Sequence, residues 1–199
     1  MRPKITFRLN EMNELGYTKY TEEQLDKIGN TAIYLSKHIK NLSKTKFLKL
    51  IYILDEESIK ASGIPFFNIQ YKVWKYGPVA DAIFIDLSSE IKLLDPFIEK
   101  DSKGHISPKK SFNDDEFSDN DINLLDKVIA KFGKENAKSL VSYTHRPDSL
   151  WTKKAKEKNV YDDLMNEDIN STDFVIDLAD LVADDQRKKG IYESYIEQF

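Results

Sequence analysis

The sequence predicts a mainly α-helical domain with a short strand and a small β-hairpin. Three observations predict this class: apolar residues recur at helical spacing in several long segments, capping residues precede those segments, and two-residue alternation is confined to short runs. The chain has 199 residues, which is enough for one domain with a packed core. Its 40% apolar and 32% charged residues are typical of a compact globular protein.

The first half of the chain predicts two long helices. Residues 5–9 alternate apolar and polar side chains, which favours a short strand. Thr21 and Gln24 are spaced as a capping box, and the apolar stripe behind them predicts an amphipathic helix over about 22–40. A second helix is predicted from Ser43 to near Gly63, and its wide apolar arc makes it the central helix of the fold.

The middle of the chain predicts the β-structure. Alternation over residues 67–73 favours a half-buried strand. Gly77 and Pro78 are expected to end that strand, with Pro78 at the start of the helix that follows. The four residues 101–104 suit a type I turn and predict a hairpin, and residues 108–117 predict an exposed loop.

The last third predicts further helices. Ser118 is a favourable N-cap for a helix that ends at Gly133. Further helices are predicted at about 135–144, after Arg146-Pro147, near 172–183 and near 186–198.

Composition excludes several kinds of chemistry. Without cysteine there is no disulfide, thiolate zinc ligand or thiol nucleophile. The histidines His38, His105 and His145 are far apart and lack metal-ligand spacing, and no glycine-rich phosphate loop occurs. The sequence therefore predicts neither metal nor cofactor. No apolar run has the length of a signal peptide or a membrane span, so a cytoplasmic protein without membrane contact is expected.

Charge is distributed unevenly along the chain. The net charge of −4 argues against a nucleic-acid partner, although residues 37–49 are rich in lysine. Nine acidic residues and no lysine or arginine lie between Asp162 and Asp185. Such a segment is either a solvated face or a surface for a basic partner. The candidate partner surface comprises Asp162, Asp163, Glu167, Asp173, Asp177 and Asp180.

His145 is the most suggestive single residue for catalysis. Asp148 would orient its imidazole as a general base, but the sequence indicates neither a nucleophile nor an oxyanion pocket. The alternative is that His145 bonds a backbone carbonyl and packs near Trp151. Lys49 and Asp55 lie six residues apart, too far round the helix to pair with each other.

Three stretches, taken together, resemble the Panacea antitoxin domain, also described as SocA-like or phage-associated GepA-like. They are Thr45–Asp55, Tyr71–Val79 and Tyr143–His145, the last followed by Ser149–Trp151. The aromatic-Lys-aromatic-Gly-Pro-Val run is the most specific part. The motif residues are Lys49, Tyr52, Asp55, Trp74, Tyr76, Gly77, Pro78, Val79, Thr144, His145 and Trp151, and we expect most of them to build the scaffold.

The resemblance implies an antitoxin of a bacterial or phage-borne toxin–antitoxin module that binds its cognate toxin directly and is not an enzyme. The first alternative is an adaptor that delivers a toxin to a protease, and the second is a small hydrolase that uses His145. The predicted organisation is an N-terminal extension (1–20), the Panacea-like domain (21–160) and an acidic helical extension (161–199) packed on the same domain.

Overall fold

The computed structural model describes residues 20–198. The predicted N-terminal extension, including the strand expected at residues 5–9, thus lies outside the described residues apart from Tyr20.

Within residues 20–198 the chain is mainly α-helical, as predicted. The α-helices are α1 (Glu22–His38), α2 (Lys44–Ser62), α3 (Asp81–Ser88), α4 (Asp119–Phe132), α5 (Ala137–Thr144), α6 (Leu150–Glu157), α7 (Tyr161–Met165) and α8 (Gln186–Ile196). A 3₁₀-helix spans Leu178–Val182. The strands are β1 (Lys72–Trp74), β2 (Gly77–Val79), β3 (Ile98–Lys100) and β4 (Ile106–Pro108).

Helix starts follow the capping signals in the sequence. The Thr21 hydroxyl accepts from the Gln24 backbone N–H at 3.1 Å, and the Gln24 side chain accepts from the Thr21 N–H at 2.9 Å. Ser118 and Asp121 make the same reciprocal pair at the start of α4. These bonds satisfy donors that have no partner inside the helix, which confirms the predicted start of both helices.

Helix α2 lies at the centre of the fold. Every residue from 46 to 56 is buried, because α1, α4, α5, β2 and the 3₁₀-helix pack around it. Ser43 caps its start and Gly63 ends it in the left-handed conformation. The core therefore surrounds one helix, and polar residues on that helix are enclosed along with the apolar ones.

The first hairpin corrects two predictions. Gly77 and Pro78 do not end the β-structure but form β2, which pairs antiparallel with β1 across a two-residue turn at Lys75 and Tyr76. Helix α3 begins later, at Asp81. Proline has no backbone N–H to donate, so it is confined to strands with a free edge. Pro78 is tolerated because, among the described strands, β2 pairs only with β1. The fold thus has two hairpins rather than a lone strand and one hairpin.

The second hairpin, β3 with β4, forms where the turn at residues 101–104 predicted it. The Asp101 carboxylate accepts from the backbone N–H groups of Lys103 and His105 and holds that turn. The loop that follows is exposed, as predicted, at eight of the ten residues 108–117. Its two phenylalanines, Phe112 and Phe117, are half-buried and pack with their ring centroids 5.3 Å apart.

The C-terminal segment also differs from prediction. Residues near 172–183 were expected to be helical, but only Leu178–Val182 forms a 3₁₀-helix. The preceding residues run extended beside β1: the Val73 N–H donates to Phe174 O at 2.9 Å and the Ile176 N–H donates to Tyr71 O at 2.8 Å. The open edge of β1 offers backbone partners that the sequence does not reveal. Helix α7 was not predicted, whereas α8 lies where a helix was expected.

Candidate functional site

The three motif stretches meet around β2. Lys49 comes from α2, Gly77 and Pro78 from β2, and Thr144 from the end of α5. The Lys49 Nζ donates to the Pro78 carbonyl at 2.7 Å. Residues separated by almost 100 positions in sequence thus share one contact region.

Lys49 is a buried lysine with 1% exposure. Burial lowers its pKa from 10.5 to about 7, because the ammonium loses its hydration. The bond to Pro78 ties α2 to the hairpin. Lys49 also lines a surface cleft beside the hairpin.

Gly77 is required by its surroundings. Its φ is +97°, a conformation that side chains disfavour, and an added Cβ would lie 2.5 Å from the Thr144 Oγ1. That Cβ would also lie 3.4 Å from the Lys49 Nζ. Glycine allows α2, β2 and α5 to approach each other closely.

Trp151 anchors α6 against the first hairpin. Its side chain is fully buried, and Nε1 donates to the Trp74 carbonyl at 2.9 Å. The His145 ring lies on it with centroids 3.8 Å apart. This stacking is the packing near Trp151 proposed from the sequence.

His145 is poorly suited to act as a general base with Asp148. Burial, with a smaller contribution from the Lys49 charge, lowers its pKa to about 4. Its Nε2 is buried and has no hydrogen-bond partner among the described residues, so the expected bond to a carbonyl is not formed there. Asp148 is instead paired with Arg146, 3.5 Å from Nε. The residues of the proposed dyad are therefore not assembled.

Asp55, in the middle of α2, holds the residues that precede the first hairpin. Its carboxylate accepts from the Phe67 backbone N–H at 2.8 Å and from the Tyr71 hydroxyl at 2.6 Å. Burial raises its pKa to about 6, although these hydrogen bonds act in the other direction. Tyr52 packs edge-to-face on Tyr71, with ring centroids 5.1 Å apart. Asp55 thus binds Phe67 and Tyr71, whereas Lys49 binds Pro78.

Sequence reasoning missed the neighbouring ion pair. The buried carboxylate of Glu56 contacts the guanidinium of Arg146 and lies 2.6 Å from the Lys60 Nζ. A glutamate enclosed in a protein core signals a cationic partner, because an unpaired buried carboxylate is strongly destabilising. The sequence could not select Arg146, which lies 90 positions away.

An aromatic cleft opens beside the first hairpin, and we call it the hairpin cleft. It has a volume of about 410 Å³ and is lined by residues that include Lys44, Leu48, Trp74, Tyr76, Phe84 and Ser171. The Trp74 and Phe84 rings meet edge-to-face at 4.9 Å. Tyr76 stands at the tip of the hairpin with 59% of its surface exposed. Trp74 and Tyr76, which were among the motif residues expected mostly to build the scaffold, thus border a cavity.

The six acidic residues of the predicted partner surface are all exposed. Glu167 pairs with Lys75 at 2.8 Å and Asp173 pairs with Lys72 at 2.8 Å. Asp177 caps the 3₁₀-helix by accepting from the Ala179 N–H. The remaining three are Asp162, Asp163 and Asp180. Two of the six predicted residues, Glu167 and Asp173, therefore help attach the C-terminal segment to the domain.

Within residues 20–198, no cluster of three or more histidine, aspartate or glutamate residues is arranged to hold a metal ion. Over the same range, no helix combines the length and apolarity that a membrane span requires.

Comparison with known proteins identifies the family. Residues 47–152, more than half of the chain, match the family model described as antitoxin SocA-like, Panacea domain. No curated protein and no solved structure matches the chain. The matched range contains the contacts of Lys49, Gly77, Thr144 and Trp151. The chain therefore belongs to the SocA-like antitoxin family that is defined by the Panacea domain.

Proposed function

We propose that this protein is the antitoxin of a bacterial or phage-borne toxin–antitoxin module. It acts in the cytoplasm and neutralises a cognate toxin by direct protein contact. Membership of the SocA-like family, through residues 47–152, is the observation that carries the proposal.

Surface properties support a binding role. A stable protein complex buries about 1,200–2,000 Å², and a few aromatic anchors contribute most of its affinity. Tyr76 is 59% exposed beside the half-buried Trp74. In this proposal, the buried motif residues hold the shape of the surface and the exposed ones contact the toxin.

The test is growth of bacteria that express the adjacent gene with and without this protein. We expect toxicity without it, rescue with it, and a stable complex on co-purification. Rescue without a complex that disappears in a protease-deficient host would assign the protein as a proteolytic adaptor instead. A harmless adjacent gene product would contradict the antitoxin proposal for this gene pair.

The acidic extension is proposed as an electrostatic part of the toxin-binding surface. Truncation after Val160 would not test it cleanly, because the removed segment bonds to β1 and buries Ile176, Leu178 and Val182. The better variant combines Asp162→Asn, Asp163→Asn and Asp180→Asn, which are exposed. Loss of these charges should slow association with a basic toxin several-fold at low salt, with little change at high salt.

A further inference from the structure

The hairpin cleft is built jointly by the family core and by residues outside it. Leu48, Trp74 and Phe84 lie inside the matched range, whereas Lys44 and Ser171 lie outside. The segment that carries Ser171 is held against β1, since the Thr172 hydroxyl donates to Val73 O at 2.7 Å and the Trp74 Nε1 donates to Thr172 O at 3.1 Å. One wall of the cleft therefore comes from outside the residues that match the family model.

The cleft prefers an apolar group. Leu48 and Val79 are almost fully buried at its wall, and the Trp74 and Phe84 rings are half-buried. A cavity of about 410 Å³ falls within the range of side-chain and ligand pockets, roughly 300–1,000 Å³. An aromatic or branched aliphatic side chain suits these walls.

The cleft also prefers a negative charge beside that group. Its lining contains no aspartate or glutamate, although the whole chain has a net charge of −4. Of its two lysines, Lys49 is buried and bonded to the Pro78 carbonyl, so Lys44 supplies the charge at the rim. The Lys44 Nζ lies 4.3 Å from the centroid of the Phe84 ring and donates to the Ser88 hydroxyl, so its charge is not neutralised by these contacts. Lys100 is close enough to lower the Lys44 pKa, after the larger effect of burial. A carboxylate at the rim would complement this local excess of positive charge.

We propose that the hairpin cleft is a docking site for the toxin. It takes an apolar side chain of the toxin, and a carboxylate of the toxin next to that side chain lies at the rim. This inference rests on the proposed antitoxin function and adds the surface and the chemistry of the contact. The exposed Tyr76 at the rim favours a protein over a small metabolite, because a metabolite site usually encloses 70–90% of its ligand. The wall formed by Asn170 and Ser171 then tunes the cleft to the toxin of this chain.

Binding of the purified toxin, the product of the adjacent gene, tests the docking site. Tyr76→Ala removes the rim anchor, Ser171→Trp fills the cleft from an exposed position, and Lys44→Glu reverses the rim charge. Each should raise the dissociation constant at least about tenfold, as expected for a hot-spot position. The matched controls Ile64→Ala and Lys127→Glu change an exposed apolar residue and an exposed lysine elsewhere, and should stay within about twofold.

A second probe, indole-3-propionate, tests the cleft without the toxin. It carries an aromatic body and a carboxylate, and its size suggests a dissociation constant of about 1 mM. Backbone NMR shifts should change at Lys44, Tyr76 and Ser171 in the wild type and not in Ser171→Trp.

The two probes separate the two proposals. A wild-type protein that binds indole-3-propionate in the cleft but does not bind the toxin contradicts the antitoxin role. Toxin binding that stays within about twofold in all three cleft variants overturns the docking site. If the acidic triple variant weakens toxin binding and the three cleft variants do not, the docking site is overturned in favour of the acidic extension.

Discussion

The interior and the rim of the same family motif have different chemistry. Lys49, Pro78 and Trp151 are buried. The Lys49 ammonium donates to the Pro78 carbonyl, and the Trp151 indole N–H donates to the Trp74 carbonyl. Tyr76, two residues from Pro78, is exposed at the hairpin tip. If the exposed part of the motif contacts the toxin as proposed, substitutions inside the motif should separate into those that change stability and those that change binding.

Trp151→Ala should give the largest loss of stability. The ring is fully buried, and its removal leaves a cavity and deprives the Trp74 carbonyl of its donor. The free energy of unfolding should fall by about 3–5 kcal/mol. Urea denaturation monitored by circular dichroism measures this change.

Trp151→Phe is the matched control, because it retains an aromatic ring that can contact His145 but removes the indole donor. Its free energy of unfolding should fall clearly less than that of the alanine variant. An alanine variant as stable as the wild type would show that Trp151 is not part of the scaffold.

Gly77→Ala should have the next largest effect. The new Cβ would meet the Thr144 hydroxyl at 2.5 Å in a backbone conformation of φ +97°. Backbone strain and overpacking together should cost about 2–4 kcal/mol, measured by urea denaturation.

Gly104→Ala separates the two contributions. Gly104 also has a positive φ of +78°, but an added Cβ would meet nothing within 4 Å. Its loss should therefore be limited to about 1–2 kcal/mol of backbone strain. Equal losses at the two glycines would contradict the tight contact between β2 and α5.

Local signals in the sequence account for most of the fold, and distant contacts account for what was missed. The pair Thr21 and Gln24 predicted the start of α1 because both partners of the capping box lie within one turn. The residues near 172–183 have apolar spacing that fits a helix, but their backbone bonds to β1, which lies about 100 positions earlier. No pattern within the segment indicates that partner.

The candidate site likewise has a part that the sequence predicted and a part that depends on distant contacts. The sequence motif selected Lys49, Gly77 and Trp151, which the structure brings together. It did not indicate the hairpin cleft, because the wall at Ser171 comes from outside the motif. Nor did it indicate that Glu56 pairs with Arg146.

Lys49→Met should change how stability depends on pH. Burial lowers the folded-state pKa of Lys49 to about 7, whereas the unfolded chain retains the ordinary value of 10.5. Between these values the unfolded state binds more protons, so Lys49 makes stability rise with pH by up to about 1.4 kcal/mol per pH unit. Urea unfolding at about pH 7 and pH 8 should show this rise in the wild type and a smaller one in Lys49→Met.

The lost bond to Pro78 lowers the stability of Lys49→Met at both pH values and therefore does not affect the difference between them. Lys127→Met, which removes an exposed lysine, serves as the control and should retain the wild-type slope. Identical slopes in the wild type and Lys49→Met would show that the Lys49 ammonium is not desolvated.

Tyr76→Ala should have the smallest effect on stability. It is therefore the sharpest test of whether the rim of the motif differs in role from its interior. Tyr76 is 59% exposed, so truncation should change the free energy of unfolding by less than about 0.5 kcal/mol. Its ring also lies 4.8 Å from the Lys75 Nζ, but Lys75 keeps its ion pair with Glu167 when the ring is removed. Urea denaturation that matches the wild type, together with loss of toxin binding, would assign Tyr76 to the contact surface. A loss of stability comparable to that of Trp151→Ala would instead show that the rim is part of the scaffold and that the motif has a single role.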